Sequence, residues 1–362
     1  MNSPLILAGA GHAHLVTLRR WIDNGFRPPP GTILLSPTPA AWYSGMMPGL
    51  LAGRFTAEDC SIKLAPLGEA CGVDLRLGQM TRLNADGRSL SLEDGSELHY
   101  HLLSLNTGSV PPLPRVDDQT VMVIPAKPFP ALHRAWQAWR QQPANAPGSI
   151  AVLGGGAAAF ELALALRASL PDAELALICS AALLAAHPPA LARRARRLLA
   201  QRNIQLIEQQ SVTRVAAGHL YNGDQPLMRC EALVAATGAS APDWLRSSGL
   251  AVDTGGFAHI SPALVSTSHT DVFATGDCAS LSGAIRSGVY AVRQGSVLAG
   301  NLAAKLSQAP LQDYRPQQHA LALLATADGG ALMSYGRWGA SGRLFGWWKD
   351  RLDIGFMRRH RL

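Results

Sequence analysis

Two glycine-rich turns, each placed between an apolar strand and a helix, constrain this chain more than any other feature of its sequence. The first turn follows Leu5 to Ala8 and reads Gly9-Ala10-Gly11-His12-Ala13-His14; the second follows Ile150 to Leu153 and reads Gly154-Gly155-Gly156-Ala157-Ala158-Ala159. In such a turn the backbone amides at a helix N-terminus face a pyrophosphate. A third signature, Thr275-Gly276-Asp277, follows later in the chain. Two copies of one plan predict two bound dinucleotides.

The length and charge of the chain leave room for two such domains and argue against a nucleic-acid partner. The chain has 362 residues, and 48% of them are hydrophobic, which is enough for two cores. The formal net charge is +7, but the segment 337–362 carries seven Lys and Arg against two Asp. The tail is therefore basic while the rest of the chain is close to neutral. A helix over Ala190 to Arg202 contains several arginines, but they alternate with leucines, which favours a solvated face of an amphipathic helix.

The spacing and number of the cysteines limit the kinds of active site and the cellular compartment that we expect. The chain has five cysteines, namely Cys60, Cys71, Cys179, Cys230 and Cys278. They form no CxxC or CxxxxC pair and no metal-ligand spacing with histidine, which argues against a dithiol active site and against a metal site. Their odd number and the absence of a secretory signal at the amino end favour a reducing cytoplasm. Apolar stretches such as Ala173 to Ala186 are too short to span a bilayer.

Strands and helices alternate along the chain in two similar copies. The first copy begins with a βαβ unit that contains a helix over His12 to Asn24 and a strand over Thr32 to Ser36, and a meander lies between Leu83 and Tyr100. The second copy, Ile150 to Gly238, repeats this order of strand, glycine turn, helix and meander. The alternation predicts an α/β fold with two Rossmann-like dinucleotide-binding domains, each with a small antiparallel meander.

Both turns depart from the usual dinucleotide fingerprint. His14 and Ala159 stand where a third glycine normally allows close packing of the helix on the strand. Ser36 occupies the place of the carboxylate that binds an adenosine ribose, and its hydroxyl can take that role less tightly. In the second copy Cys179-Ser180 occupies this place, and no arginine follows to select a 2′-phosphate. The choice between NADH and NADPH therefore stays open, and His12 and His14 are either functional or structural histidines.

The paired turns and the later Gly-Asp resemble the flavoproteins with two dinucleotide domains. This group includes type II NADH dehydrogenases, sulfide:quinone reductases and ferredoxin reductases, within the pyridine nucleotide-disulfide oxidoreductase superfamily. A narrower resemblance is to a bacterial family often fused ahead of selenide, water dikinase. It rests on Gly9 to His14, Ile33 to Pro37, Tyr43 to Gly49, Ala274 to Ala279 and Gly288 to Gly295. The resemblance implies FAD and NAD(P)H as cofactors.

The resemblance also implies the domain organisation. The FAD-binding domain would be discontinuous, with residues 1–115 as its first part and 251–330 as its second part. The NAD(P)-binding domain would occupy 116–250, and a basic, aromatic tail would occupy 331–362.

Cofactor-binding residues follow from the same resemblance. Gly9 and Gly11 would form the FAD pyrophosphate turn, Asp277 would bind the ribityl chain, and the helix beginning near Gly288 would point its positive end at the flavin. The loop Tyr43 to Gly49 would lie against the isoalloxazine through Met46 and Pro48, unless it is a plain surface turn. The remaining residues expected at FAD are His14, Ser36, Thr107, Gly108 and Gly276. Those expected at NAD(P)H are Gly154, Gly156 and Gly238.

Two residues are candidates for a catalytic role. Glu161 matches a glutamate that follows the second turn in type II dehydrogenases and could carry protons to a reduced acceptor, unless it is an ordinary helix glutamate. Lys127 matches a lysine of the narrower family and could neutralise the reduced flavin or hold a phosphate, unless it is a solvated linker lysine.

The electron acceptor depends on how the tail is interpreted. Leu344, Trp348, Leu352 and Phe356 recur every four residues beside arginines, a pattern suited to an anionic membrane interface and hence to a quinone. The alternative is that the aromatic residues cap the FAD domain, and glycines up to Gly346 would shorten any helix.

We therefore expect an FAD-dependent oxidoreductase that takes hydride from NAD(P)H and reduces a small, quinone-like acceptor in the cytoplasm or on the inner face of the cell membrane. Two alternatives stay open. One is a soluble flavoprotein that acts on a selenium or sulfur compound through Cys278 or Cys60; the other is a non-catalytic FAD-binding redox sensor. The oligomeric state does not follow from the sequence.

Overall fold

A computed structural model describes residues 4–362, and its first region forms a parallel sheet. In chain order the elements are β1 (Leu5–Ala8), α1 (His12–Asn24), β2 (Ile33–Ser36), β3 (Ala40–Trp42), α2 (Met47–Leu51), β4 (Ser61–Lys63), α3 (Leu64–Glu69), β5 (Asp74–Leu77), β6 (Met80–Asn84), β7 (Ser89–Leu92), β8 (Glu97–His99) and β9 (Leu102–Leu105). All residues of β1 and β9 are buried, as expected for strands covered on both faces.

The second region repeats this plan. It contains β10 (Arg115–Val116), β11 (Met122–Pro125), α4 (Phe129–Gln141), β12 (Ser149–Leu153), α5 (Ala157–Ser169), β13 (Glu174–Ile178), α6 (Pro189–Gln201), β14 (Ile204–Ile207), β15 (Arg214–Ala216), β16 (His219–Asn222), β17 (Gln225–Arg229) and β18 (Ala232–Ala235). Its parallel sheet has the strand order β11-β18-β12-β13-β14, and β15-β16-β17 form the antiparallel meander.

The third region returns to the first sheet and then forms the tail. It contains α7 (Asp243–Arg246), β19 (Ala258–His259), β20 (Val272–Ala274), β21 (Ala279–Ser280), α8 (Gly288–Leu306), β22 (Ala322–Ala325), β23 (Ala331–Tyr335), β24 (Trp338–Gly342) and α9 (Arg343–His360). Strand β20 joins the first sheet, whose order is β20-β9-β1-β2-β5, with β6-β7-β8 as its meander. The predicted fold class, with a discontinuous first domain, is confirmed.

Helices α1 and α8 pack closely against each other and hold the late part of the chain against the early part. A β-carbon at Gly295 of α8 would lie 2.6 Å from the carbonyl oxygen of Ala13, so only glycine allows this approach. Two hydrogen bonds join the helices: Thr17 Oγ1 donates to the Gly295 carbonyl at 3.1 Å, and Trp21 Nε1 donates to the Ala299 carbonyl at 3.0 Å.

The tail is a folded unit whose helix is longer than the sequence indicated. We expected glycines up to Gly346 to interrupt the helix, but α9 begins at Arg343 and includes Gly346. The expectation was wrong because α9 crosses the backbone at Gly329 so closely that a β-carbon at Gly346 would collide with it. Within residues 4–362, no helix is both long and apolar enough to cross a membrane.

Candidate functional site

The first glycine turn is held by a residue that the sequence analysis missed, Asn106 at the end of β9. Gly9 has a φ of +92°, and a β-carbon there would lie 2.5 Å from the carbonyl oxygen of Asn106. The Asn106 side chain accepts hydrogen bonds from the amides of Ala13 (3.1 Å) and His14 (3.2 Å) and donates to the Thr275 carbonyl (2.9 Å). Asn106 thus joins the start of α1 to β9 and to the end of β20. The amides of Gly11 and His12 are left to face a pyrophosphate.

His14 and Ser36, both predicted to bind FAD, lie inside the protein. The His14 side chain has no exposed surface; its Nδ1 lies 2.6 Å from the Gly9 carbonyl oxygen and its Nε2 lies 2.8 Å from Ser104 Oγ. Burial lowers the pKa of His14 to about 4, so the ring is neutral. Ser36 is 2% exposed. Its hydroxyl donates a hydrogen bond to the Thr38 carbonyl and accepts one from the Thr38 amide. These side chains support the turn and the β2 edge, and their predicted contacts with FAD stay predictions.

Met46, in the loop between β3 and α2, and Pro48, in the first turn of α2, face inward, and their predicted contact with the isoalloxazine stays a prediction. Both residues are buried beneath the loop. Tyr43 is instead the aromatic side chain of this loop that joins the site: its ring stacks on Phe356 at 4.6 Å between centroids and lies 5.3 Å from the His12 ring. The position of this loop in the chain can be predicted from its residues, but which of them point inward depends on contacts with distant elements.

Three residues predicted at FAD, namely Gly276, Asp277 and Gly288, lie near the predicted catalytic residue Lys127. The Asp277 carboxylate accepts a hydrogen bond from Lys127 Nζ at 2.8 Å, and Gly276 donates its amide to Gln294 Oε1 at 2.7 Å. The start of α8 lies beside His12, because a β-carbon at Gly288 would be 3.9 Å from His12 Nε2. The pKa of His12 falls to about 4, chiefly through burial and then through the charge of Lys127. The structure therefore brings Asp277, Lys127, Gly288 and the first turn together.

The residues present fit a bound FAD. The Thr107 hydroxyl is buried and has no hydrogen-bond partner among residues 4–362 other than the weak thiol of Cys278 nearby. Gly108 has a φ of +77° and open space where a β-carbon would be. A turn of backbone amides, an unpaired hydroxyl and a carboxylate at the end of one parallel sheet match the polar groups of a dinucleotide.

The second glycine turn has the same backbone design with an open front. Gly154 has a φ of +142°, and a β-carbon there would collide with the carbonyl of Ala236 at the end of β18. Gly156 is exposed, nothing lies within 4 Å of a β-carbon placed on it, and no side chain caps α5. Gly238 is likewise open. These residues fit a second dinucleotide that approaches from solvent.

Glu161 belongs to a charged cluster that sequence reasoning did not find. Its Oε1 accepts a hydrogen bond from the Ala325 amide at 2.6 Å. Burial raises the pKa of Glu161 to about 7, although the nearby Lys349 ammonium and the Ala325 amide act in the opposite direction. Lys349 donates to Asp353 Oδ2 and to the Gly45 carbonyl, each at 2.7 Å. The cluster thereby links α5, the tail and the loop that carries Tyr43.

Asp353 completes this cluster. Its Oδ1 accepts a hydrogen bond from Tyr43 Oη at 3.0 Å, and burial, reinforced by Asp353, raises the pKa of Tyr43 far above its usual range. Burial alone would lower the pKa of Lys349, but the carboxylates of Glu161 and Asp353 outweigh it and raise that pKa. Lys349 and Asp353 are spaced by one helical turn on α9, but only the fold shows that this turn lies beside Glu161.

The cysteines do not present reactive thiols. All five are buried. Burial raises the pKa of Cys60 to about 12 and also raises the pKa of Cys278. A thiolate nucleophile requires a lowered pKa and access to solvent, so this geometry gives no support to chemistry at either cysteine.

The apolar residues that recur every four positions in the tail do not all lie on one side of α9. Phe356 is 5% exposed and stacks on Tyr43, so it caps the FAD side of the molecule. Leu344, Trp347 and Leu352 of α9 are exposed, as is Trp338 of β24 at 77%. One face of α9 therefore packs inside and the other faces outward: Phe356 fits the capping interpretation, while the membrane interpretation of the outward face stays a prediction.

Comparisons with known proteins agree with this geometry. A sequence profile described as pyridine nucleotide-disulphide oxidoreductase matches residues 9–295. NADH dehydrogenase-like protein YutJ of Bacillus subtilis is 23% identical over 278 residues, which are 76% of this chain and 77% of that protein. Ferroptosis suppressor protein 1 of Taeniopygia guttata is 24% identical over 301 residues, 78% of this chain and 74% of that protein.

The fold is also similar to a solved structure. The sulfide:quinone oxidoreductase from Aquifex aeolicus superposes with a TM-score of 0.79 at 16% identity, covering 99% of this chain and 91% of that chain. At this identity the likeness shows a shared fold.

Proposed function

Because the chain belongs to the pyridine nucleotide-disulphide oxidoreductase family, whose cofactors are FAD and NAD(P)H as predicted, we propose that it oxidises NAD(P)H and reduces a small, quinone-like acceptor. Bound FAD supplies the redox chemistry, by accepting a hydride from NAD(P)H and giving the electrons to the acceptor. The single observation that carries the acceptor assignment is the partly buried cluster of Glu161, Lys349, Asp353 and Tyr43.

The two glycine turns hold the cofactors in this proposal. Gly9, Gly11 and the start of α1 bind the FAD pyrophosphate, and Asp277 and Thr107 bind its polar groups. Lys127 neutralises Asp277 and stabilises negative charge near it. Gly154, Gly156 and Gly238 bind NAD(P)H from the open side.

Glu161 delivers a proton to the reduced acceptor. Reduction of a quinone to a quinol takes two electrons and two protons: the hydride from NAD(P)H brings both electrons and one proton, and Glu161 gives the second proton and is then reprotonated from solvent. A general acid works best when its pKa is near the working pH, and Glu161 meets this condition with a pKa of about 7. The Ala325 amide of the tail strand β22 holds the Glu161 carboxylate in place.

Lys349 and Asp353 position this acid and do not themselves transfer protons. Lys349 is partly buried and donates to both Asp353 and the Gly45 carbonyl, so it joins the loop with Tyr43 to α9. The favourable charge of Lys349 also keeps the pKa of Glu161 from rising further. The pair therefore sets both the place and the acidity of Glu161.

The test separates the two half-reactions of a Glu161→Gln variant. Reduction of the protein by NADH should proceed at the wild-type rate, because Glu161 does not act in that step. Transfer to a short-chain ubiquinone should slow by about 100-fold, within the usual range for loss of a general acid. Wild-type transfer should decline as pH rises through about 7, since Glu161 loses its proton there, and the variant should show no such step.

Glu69→Gln, a change of an exposed glutamate at the end of α3, is the matched control and should leave both half-reactions unchanged. A Glu161→Gln variant that keeps the wild-type pH profile with ubiquinone would remove Glu161 from the proton path. Failure of ubiquinone to reoxidise the wild-type protein would reject the quinone assignment.

We further propose that the outward face of the tail meets the anionic inner face of the cell membrane. Trp338, Leu344 and Trp347 are 77%, 69% and 58% exposed. Arg343 shares a groove of about 280 Å³ with Arg194 and Arg197 of α6. Within residues 4–362 none of these three arginines forms an ion pair. Exposed tryptophans beside unpaired arginines suit an anionic lipid interface.

Flotation with phosphatidylglycerol vesicles tests the membrane proposal. The double variant Trp338→Ser, Trp347→Ser should lose most vesicle binding, because both indoles leave the interface. Leu77→Ser removes an apolar side chain that is 52% exposed on β5 and should bind as the wild type does. Equal binding of the double variant and the wild type would contradict the assigned face.

A further inference from the structure

The second dinucleotide site lacks the carboxylate that usually defines it. In Rossmann-like domains an acid at the end of the second strand bonds the adenosine ribose of NAD. Here that strand is β13, and it is followed by Cys179, whose side chain has no exposed surface. The Cys179 thiol donates to the Gly154 carbonyl at 3.4 Å, so it supports the turn and cannot meet a ribose.

A carboxylate stands beside this position on the neighbouring strand. Strands β13 and β14 are parallel and pair Leu177 with Leu206 and Ile178 with Ile207. The next residues at the carboxyl edge are Cys179 and Glu208, and the Cys179 amide donates to the Ile207 carbonyl at 2.8 Å. Since ligands of open parallel sheets bind outside the carboxyl ends of the strands, Glu208 lies at the correct edge.

The hydrogen bonds of Glu208 leave one acceptor position unused. Its Oε1 accepts from the Leu183 amide at 2.6 Å and from Arg196 Nη2 at 2.7 Å, and its Oε2 accepts from Arg196 Nε at 2.8 Å. A carboxylate has about four lone-pair positions, so one remains, on Oε2. Hydrogen bonds from Arg196, followed by the Leu183 amide, lower the pKa of Glu208, which is therefore ionised at neutral pH.

The charges around this position discriminate between the two nucleotides. A ribose hydroxyl can donate to the free position on Oε2. A 2′-phosphate has no proton to donate there at neutral pH, and the carboxylate repels it. Arg196 would attract a phosphate, but its charge is balanced by Glu208 in a bidentate pair. The pair therefore gives a 2′-phosphate no net attraction.

We propose that Glu208, reaching from β14, replaces the missing acid of β13 and makes the second site select NADH over NADPH. This inference rests on the proposed function, in which the second turn binds NAD(P)H. It assigns a specificity role to a residue outside the glycine fingerprint.

Isothermal titration of the purified flavoprotein with NAD⁺ and NADP⁺ measures the selection without any electron transfer. The wild type should bind NAD⁺ at least about tenfold more tightly than NADP⁺, a ratio that corresponds to about 1.4 kcal/mol. In Glu208→Gln the preference should vanish or reverse, because the amide removes the negative charge and frees Arg196 for the phosphate. Glu174→Gln changes an exposed glutamate at the opposite end of β13 and should keep the wild-type ratio.

Two further variants test whether the nucleotide preference depends on the ion pair of Glu208 and Arg196. Arg196→Met should weaken NADP⁺ binding while it preserves NAD⁺ binding, and Glu208→Gln with Arg196→Met should lose the gain in NADP⁺ affinity. FAD content and melting temperature show whether each variant is folded; if Glu208→Gln does not fold, Arg196→Met alone carries the test.

The outcomes separate this inference from the proposed function. A wild type that binds both nucleotides but shows the same ratio as Glu208→Gln, or that prefers NADP⁺, overturns only the role of Glu208. A wild type that binds neither nucleotide overturns the proposed function and this inference together.

Discussion

The two glycine turns share one backbone design. They differ in the residue that packs against the first glycine, which directly follows β9 in the first domain and β18 in the second. In the first turn a β-carbon at Gly9 would lie 2.5 Å from the carbonyl oxygen of Asn106, and in the second a β-carbon at Gly154 would collide with the carbonyl of Ala236. Asn106 and Ala236 occupy equivalent places, one residue beyond β9 and β18. Only the asparagine has a side chain that bonds the helix behind the turn.

This difference teaches how one fold serves two kinds of cofactor. The Asn106 side chain is a clamp that joins the end of β9 to the start of α1 and the end of β20. The backbone of the first turn therefore has its binding conformation without a ligand, which suits a cofactor that stays bound. Among residues 4–362 no side chain makes equivalent hydrogen bonds at the second turn, and Gly156 faces open space, which would suit a nucleotide that leaves after each turnover. Pre-organisation strengthens binding because less order has to be imposed by the ligand.

Removal of the clamp should have the largest effect. Asn106→Ala deletes three hydrogen bonds in a buried setting, which is expected to cost about 3 kcal/mol of unfolding free energy and most of the bound FAD. Thermal unfolding and the flavin absorbance of purified protein measure both effects. Asn84→Ala changes an exposed asparagine with a single turn hydrogen bond and should retain FAD. An Asn106→Ala protein with full FAD content would show that the clamp is unnecessary.

A charge in the open turn should act on the second cofactor alone. Gly156→Glu places a carboxylate where a pyrophosphate would lie, and we expect reduction by NADH to slow by at least about 100-fold, or about 2.7 kcal/mol. FAD content should stay at the wild-type level, since the first turn is untouched. Gly156→Ala is the control, because a β-carbon there meets nothing within 4 Å. Normal reduction of Gly156→Glu would contradict the assignment of the second turn.

The smallest effect is expected at Lys127. Its ion pair with Asp277 is partly exposed, with 53% of the Lys127 side chain accessible, and such pairs contribute up to about 1 kcal/mol. Lys127→Met should therefore lower the flavin reduction potential by about 20 mV for a two-electron couple while FAD remains bound. Spectroscopic redox titration measures this shift. Lys305→Met, at the far end of α8, should leave the potential unchanged, and an unchanged potential in Lys127→Met would assign Lys127 to the linker alone.

The sequence was sufficient for features that depend on local pattern. Glycine turns between an apolar strand and a helix predicted β1 and α1 at the bounds that the structure shows, because strand burial and helix periodicity are local signals. The arginine face of α6 was also predicted, although Arg196 pairs with Glu208.

Features that depend on long-range contacts could not be predicted. The residues next to Asn106 in the sequence do not indicate its hydrogen bonds, because its partners are at the start of α1 and just after β20. The burial of Met46 could not be predicted either, because the elements packed beneath a loop decide which of its side chains point inward. Lys349 and Asp353 come near Glu161 only because α5 and α9 both pack against β22, and sequence spacing carries no information on that approach.

Anaerobic stopped-flow mixing of the purified protein with NADH tests the central claim most directly. The account predicts a protein that carries FAD and loses its absorbance at about 450 nm, the band of an oxidised flavin, when NADH is added. A colourless protein that takes up no FAD, or a yellow protein that neither NADH nor NADPH bleaches, would contradict it.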